Sequence, residues 1–261
     1  MLCGKIILLC INSIQNICIA YRMEKTKFII HETDERMFFL KKILSENVAD
    51  KPTHIFAPNI NVNARVLEDI EDGSVIVCGK HTEEAALIAK ERDIKIYNIM
   101  QNEKFQAVNS RLTAEGALGV ILEHSVKSIK DCKMLVIGFG RTGAAMAKLL
   151  NDLNIDFDVA TTSSLRPAFA FAQNVIAASD FDFAPYDVVI NSVPYPIIKD
   201  SDVMSFKHNA IYIDLASKPA VNLEYAKYLG VDADIYPALP AKVCPLSAAK
   251  AMQEYISEVV L

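Results

Sequence analysis

The segment Lys133-Met-Leu-Val-Ile137 runs without a gap into Gly138-Phe139-Gly140-Arg141-Thr142-Gly143, and that into Ala144-Ala-Met-Ala-Lys-Leu-Leu150. A short apolar strand, a glycine-rich turn and a helix in immediate succession leave few folds open. This is the G-x-G-x-x-G pattern in the strand–turn–helix setting that gives it meaning. Gly138 permits the tight turn, Gly140 lets backbone approach a pyrophosphate, and Gly143 lets the helix pack close to the strand. The unpaired N–H groups and positive end of the helix then face the phosphates. Gly138 to Gly143 are therefore the first candidate cofactor-binding residues. The alternative is a tight strand-to-helix turn without a ligand.

The chain has 261 residues, enough for one large domain or two modest ones. With 52% hydrophobic and 23% charged residues it has the material for a packed core. Its net charge of −5 argues against nucleic acid as a partner. Six cysteines, at 3, 10, 18, 78, 132 and 244, show neither C-x-x-C spacing nor a Cys/His cluster. They read as reduced thiols of a cytoplasmic protein with no metal site. Residues 1–22 carry two apolar runs interrupted by Asn12, Ser13, Gln15 and Asn16, without a clean cleavage site. The runs are too short to span a bilayer. We expect translation to begin at Met23, residues 1–22 being a mis-assigned extension, and no membrane association.

Strand and helix patterns alternate along the whole chain, which predicts parallel α/β layers. Strands are expected at 27–30, 53–57, 74–78 and 94–97, with helices at 34–46, 62–70 and 82–92, the last capped by Thr82. This smaller N-terminal α/β domain, flavodoxin-like, is expected to span 23–110. A linker helix over 113–128 leads to the doubly wound Rossmann domain, 111–261. That domain has further strands at 157–161, 175–177, 188–190, 210–214 and 231–236. Helices are expected beyond Pro167 to 172, over 223–229, and at the C-terminus over 247–260, capped by Ser247.

Ligands of open α/β sheets lie beyond the carboxyl ends of the strands. The second strand of a nucleotide unit commonly ends in an acid that binds the ribose 2′-hydroxyl. Here that position falls on Thr161 or Thr162, and the loop continues through Ser163 to Arg166. Hydroxyls with a guanidinium suit a 2′-phosphate, so NADP is favoured over NAD; the alternative is a polar surface turn. Ser192, Val193 and Pro194 close the fourth strand and could lie along the nicotinamide ribose, or simply break the strand. Asp214, Leu215 and Ala216 close the next, where Asp214 could orient a ribose or cap a loop. Lys218 follows. Asn109, Arg111, Thr113 and Glu115 lie at the expected junction of the two domains, where a cleft could take a small polar substrate. Thr113 could equally cap a helix and Glu115 complement its dipole. Lys242 is a further cation. None of the five histidines falls in an acid–base motif, no Ser/His/Asp pattern is visible, and the catalytic residue stays unassigned.

Five segments, in this order and spacing, carry a wider resemblance: Asn109-Ser-Arg-Leu-Thr-Ala-Glu-Gly116, Val136-Ile-Gly-Phe-Gly-Arg-Thr-Gly143, Ile190-Asn-Ser-Val-Pro194, Asp214-Leu-Ala-Ser-Lys-Pro219 and Tyr236-Pro-Ala-Leu-Pro240. Together they resemble the A-subunit family of dipicolinate synthase, most clearly from 109 onward. The resemblance implies an N-terminal α/β domain and a C-terminal nicotinamide-binding domain. It implies oxidation of 4-hydroxy-tetrahydrodipicolinate to dipicolinate during spore formation, with NADP as hydride acceptor. The partner it implies is the flavoprotein-like B component of dipicolinate synthase. Arg111, Lys218 and Lys242 would then counter the carboxylates of a small dicarboxylic acid. The chain departs from the family pattern in two places. Pro-Gly-Leu-Pro-Gly appears as Pro237-Ala-Leu-Pro-Ala241, and Ser-Arg-Pro-Gly-Gly as Ser217-Lys-Pro-Ala-Val221. Two other readings stay open: a dehydrogenase of another small hydroxy or keto acid, and a non-catalytic protein that senses nucleotides for a catalytic partner. Homo-oligomerisation is also left open.

Overall fold

The computed structural model describes residues 26–162, 171–177 and 181–261. The first half runs β1 (Thr26–Ile30), α1 (Glu35–Ile43), β2 (Val48–Ala49), β3 (Thr53–Ile55), β4 (Asn61–Val62), α2 (Ala64–Leu67), β5 (Val75–Cys78), β6 (Lys80–His81), α3 (Glu83–Glu91) and β7 (Lys95–Asn98). Side-chain oxygens start the helices. Asp34 accepts from the Met37 N–H at 3.2 Å, and Thr82 from that of Ala85 at 3.1 Å, each satisfying an orphan donor of the first turn. The sheet order is β2-β1-β3-β5-β7, parallel except for the short antiparallel edge β2. Both faces are covered, so β3 and β5 are buried at every position.

The long helix α4 (Glu103–His124) carries the chain into the second half. There follow β8 (Met134–Ile137), α5 (Arg141–Asp152), β9 (Phe157–Thr161), β10 (Val175–Ala177), β11 (Val188–Asn191), α6 (Asp200–Val203), β12 (Ile211–Asp214), α7 (Leu223–Tyr228), β13 (Asp232–Ile235), α8 (Leu239–Val243) and α9 (Pro245–Val259). Six parallel strands stand in the order β10-β9-β8-β11-β12-β13. That is the doubly wound order in which dinucleotides bind where strand succession reverses, between β8 and β11. Val136, Met146, Leu150 and Val159 fill one face with Ala117 and Ile121 of α4; Ile137, Val189, Tyr212 and Ala226 fill the other.

Several expectations are corrected. The linker helix begins at Glu103, not 113, because Asn102 caps it by accepting from the Phe105 N–H at 2.8 Å. Thr113 is therefore no cap; its hydroxyl donates to the Asn109 carbonyl within the helix. Likewise Glu115 lies far from the helix's first turn. The boundary placed at 110–111 falls inside this helix. The C-terminal helix starts at Pro245 and not at Ser247, proline being well suited to a first helical position. It does not close the second sheet. Ala249, Met252, Tyr255 and Ile256 pack with Met37, Leu40 and Ile55 in the core of the first. The helix expected beyond Pro167 falls mostly outside the described residues, as does the extension 1–22. Among the described residues no helix is long and apolar enough to cross a membrane.

Candidate dinucleotide site and interdomain cleft

The three glycines of the turn do different work. Gly138 has φ +90°, a left-handed backbone that disfavours side chains. A Cβ on it would also lie 2.6 Å from Ser192 Oγ. Gly143, in the first turn of α5, sits so close that a Cβ would meet the Gly138 oxygen at 2.0 Å and Ser192 Oγ at 2.9 Å. Ser192 thus occupies the hollow these two leave, its hydroxyl donating to the Ile137 carbonyl at 2.9 Å. Gly140 is the helix N-cap and makes no side-chain cap. A Cβ there would meet no protein atom within 4 Å. The space in front of Gly140 is open, as close approach of a ligand's pyrophosphate requires.

A groove of about 340 Å³ runs from this turn. Gly138, Phe139, Gly140, Thr161, Thr162, Ser192, Val193 and Pro194 all line it. The structure thus gathers eight of the residues nominated from sequence around one groove. Ala160, Tyr195 and Ile197 also line it and are not among the sequence candidates; nothing in their spacing marks them. Thr161 is buried at the end of β9, and Thr162 is exposed beside it. Ser163 and Arg166 lie outside the described residues.

Arg141 and Thr142 turn away from that groove. With Gly140 and Ser192 they line a second cavity, of about 230 Å³, whose other wall is Met100, Gln106, Asn109 and Ser110. This is the cleft between the halves, below the carboxyl ends of β7, β8 and β11. Asn109 is where the sequence pattern put it. Gln106 and Ser110 join it because positions 106, 109, 110 and 113 share one helix face, a relation hidden while the helix was started at 113.

The remaining nominees sit elsewhere. Arg111 pairs with Glu115 one turn on, at 2.5 Å, on the flank where Cys244 Sγ is 3.9 Å from Glu115. Lys218 and Lys242 are exposed, on the loop after β12 and on α8. Asp214 is fully buried and unavailable to a ribose. Its carboxylate accepts from Tyr212 Oη at 2.7 Å, Asn191 Nδ2 at 3.0 Å and the N–H groups of Ala216 and Ala220 at 3.0 and 2.9 Å. Burial pushes its pKa up while these four donors pull it down. It is a loop anchor, and its strand-end position could not distinguish that from a ribose ligand. Leu215 and Ala216 follow it into the same loop, and neither lines the groove. Asn191 links the anchor to the groove wall, giving one hydrogen bond to Asp214 and exchanging two with the backbone of Val193.

No family model matches the chain. A curated protein does: the A subunit of dipicolinate synthase from Bacillus subtilis (strain 168), 25% identical over 178 residues. The match takes in 66% of this chain and 60% of the relative's length. The crystal structure of the dipicolinate synthase A subunit from Bacillus halodurans superimposes with a TM-score of 0.76 at 19% identity, covering 90% of this chain and 97% of that one. The chain is similar in sequence and in fold to the dipicolinate synthase A subunit. Further off, D-lactate dehydrogenase with NAD⁺ from Lactobacillus jensenii gives a TM-score of 0.55 at 14% identity, covering 89% of this chain and 94% of that one. The chain shares the α/β fold of that dehydrogenase. Where the dipicolinate synthase pattern reads Pro-Gly-Leu-Pro-Gly, this chain holds Ala238 at φ +57°, ψ +33°. The backbone keeps the left-handed conformation that glycine would adopt freely.

Proposed function

We propose that the chain is an NADP-linked oxidoreductase that acts, like its dipicolinate synthase relative, on 4-hydroxy-tetrahydrodipicolinate. The observation that carries this reading is the open face of Gly140, where a dinucleotide groove meets a polar interdomain cleft. Gly140 at the α5 amino end, Thr161, Thr162 and Val193 would hold a dinucleotide, with the cleft within reach for nicotinamide chemistry. A small cyclic dicarboxylic acid would occupy the cleft beside Gln106, Asn109 and Ser110. Loss of water and of a hydride plus a proton from that acid leaves the aromatic dipicolinate ring, and the bound nicotinamide supplies the hydride acceptor. The chain's own contribution is to orient the two rings and exclude water between them. Hydroxyls at Thr161 to Ser163 with Arg166 support NADP over NAD, since they suit a 2′-phosphate. The reading includes a cytoplasmic location, a role in spore formation and, as partner, the flavoprotein-like B component of dipicolinate synthase.

The test is absorbance at the nicotinamide band. The full chain, with and without that flavoprotein-like component, is given NADP or NAD and the lysine-pathway intermediate. Cofactor reduction with dipicolinate formed supports the proposal; tight NADP binding without turnover on any acid, with the flavoprotein present, refutes it. That second result would favour a nucleotide sensor. Such a role is supported by the absence of histidine and carboxylate side chains among the described lining of cleft and groove.

A further inference from the structure

Among its described lining residues the cleft holds one cation, Arg141. Its guanidinium meets Glu103 side-on, Nη2 to Oε1 at 2.5 Å and Nε to Oε2 at 3.3 Å. Two N–H groups facing two carboxylate oxygens is the arrangement a guanidinium makes with any carboxylate. Glu103 is the first residue of α4, so the contact joins that helix to the glycine turn. Both partners are well hydrated, Glu103 being 75% and Arg141 55% exposed. A solvated ion pair of this kind contributes little net stability and yields readily to a competing carboxylate. The cations nominated from sequence offer no substitute, because Arg111 is paired with Glu115 away from the cleft and neither Lys218 nor Lys242 lines it. The rest of the polar wall, Gln106, Asn109, Ser110, Thr142 and Ser192, is uncharged. A dianion desolvated in such a cleft requires a counter-charge.

We infer that Arg141 binds a carboxylate of the acid substrate, and that Glu103 occupies that carboxylate's place until the acid displaces it. The inference rests on the oxidoreductase reading for the identity of the acid. Displacement frees Glu103 and undoes this one ion pair between α4 and the glycine turn. Acid binding and the junction of the two halves are thereby coupled through one guanidinium.

The experiment measures binding of NADP and, separately, of pyridine-2,6-dicarboxylate to the full chain. It compares wild type with Arg141→Gln, Arg141→Lys and Glu103→Gln, each checked by thermal melting. Arg141→Gln is expected to weaken the dicarboxylate by about tenfold or more while NADP affinity stays within about twofold. Arg141→Lys should restore part of the loss, keeping the charge without the fork. Glu103→Gln should tighten the dicarboxylate several-fold by removing its competitor, with no change for neutral pyridine-2-carboxamide. A loss of NADP affinity in Arg141→Gln as large as that for the acid would overturn the inference, since the guanidinium would then serve the cofactor's phosphates. Weaker acid binding in Glu103→Gln, or no acid binding by wild type, would also overturn it. Acid binding that follows Arg141 in a chain binding neither NADP nor NAD would instead sink the oxidoreductase reading and leave the role of Arg141 standing.

Discussion

A side-chain carbon on Gly143 would sit 2.0 Å from the carbonyl oxygen of Gly138, whereas one on Gly140 would touch nothing in the protein. Two glycines of one motif therefore answer to different demands. Gly143→Ala must push helix α5 off the turn, and overpacking of this kind costs about 1–3 kcal/mol. Gly140→Ala is expected to change stability by less than about 0.5 kcal/mol, yet to weaken NADP binding by about tenfold or more, about 1.4 kcal/mol. Denaturant melts together with a fluorescence titration of NADPH separate the two. Unchanged NADPH affinity in a folded Gly140→Ala variant would show that the space before Gly140 is not the ligand's.

Removing the charge of Asp214 should act at a distance. Its carboxylate takes four donors in a site without solvent access. Asp214→Asn replaces one acceptor oxygen by a donor facing other donors, so roughly 2–3 kcal/mol of stability should be lost, the scale of a hydrogen bond to a buried charged group. The Asn191 side chain carries the disturbance to Val193 on the groove wall. Cofactor affinity should fall in the folded variant, and both effects are readable in one urea titration with and without NADP.

Acid should weaken the protein through Asp187. Burial alone would raise its pKa, but Lys127, the backbone N–H of Lys133 and Lys207 hold it down at about 2. A carboxylate whose folded pKa lies below the unfolded value near 3.9 stabilises the native state above that value. The stability is lost as pH falls from about 4 towards 2. Asp187→Asn should flatten this part of the stability curve and leave its slope above pH 5 unchanged, as followed by thermal melting at stepped pH.

Ala238 stands in left-handed backbone at the start of α8. That conformation costs an L-residue roughly 1–2 kcal/mol relative to its usual regions, while glycine adds unfolded-chain entropy that offsets part of the gain. Ala238→Gly should therefore stabilise the chain by about 0.5–1 kcal/mol, measured as a raised denaturation midpoint.

Much of this was legible because local pattern and tertiary role agree. Phe157-Asp-Val-Ala-Thr161 is a strand between turns both in sequence and in the structure, and Thr82 announces α3 by its position before an acidic first turn. The turn at Gly138 was readable because its backbone has to be glycine. The start of α4 was not, since residues 103–112 bury only Phe105, Ser110 and Leu112 and so leave a faint apolar stripe. Nor could the sequence say which sheet α9 covers, because an amphipathic helix specifies a stripe and not its partner. Arg111 and Glu115 stand at the spacing of a helical ion pair, and that local attraction, not a substrate, claims them. The direction of the Arg141 side chain depends on Glu103, 38 residues earlier, which no local pattern encodes.

Because the last helix returns to lie on α1 and α4, the polypeptide passes between the two lobes twice among the described residues, once through α4 and once at α8–α9. Two tethers side by side admit rotation about the line joining them and resist twisting across it. Were the halves to part, these two crossings would steer them along a single arc, like a door on two pins.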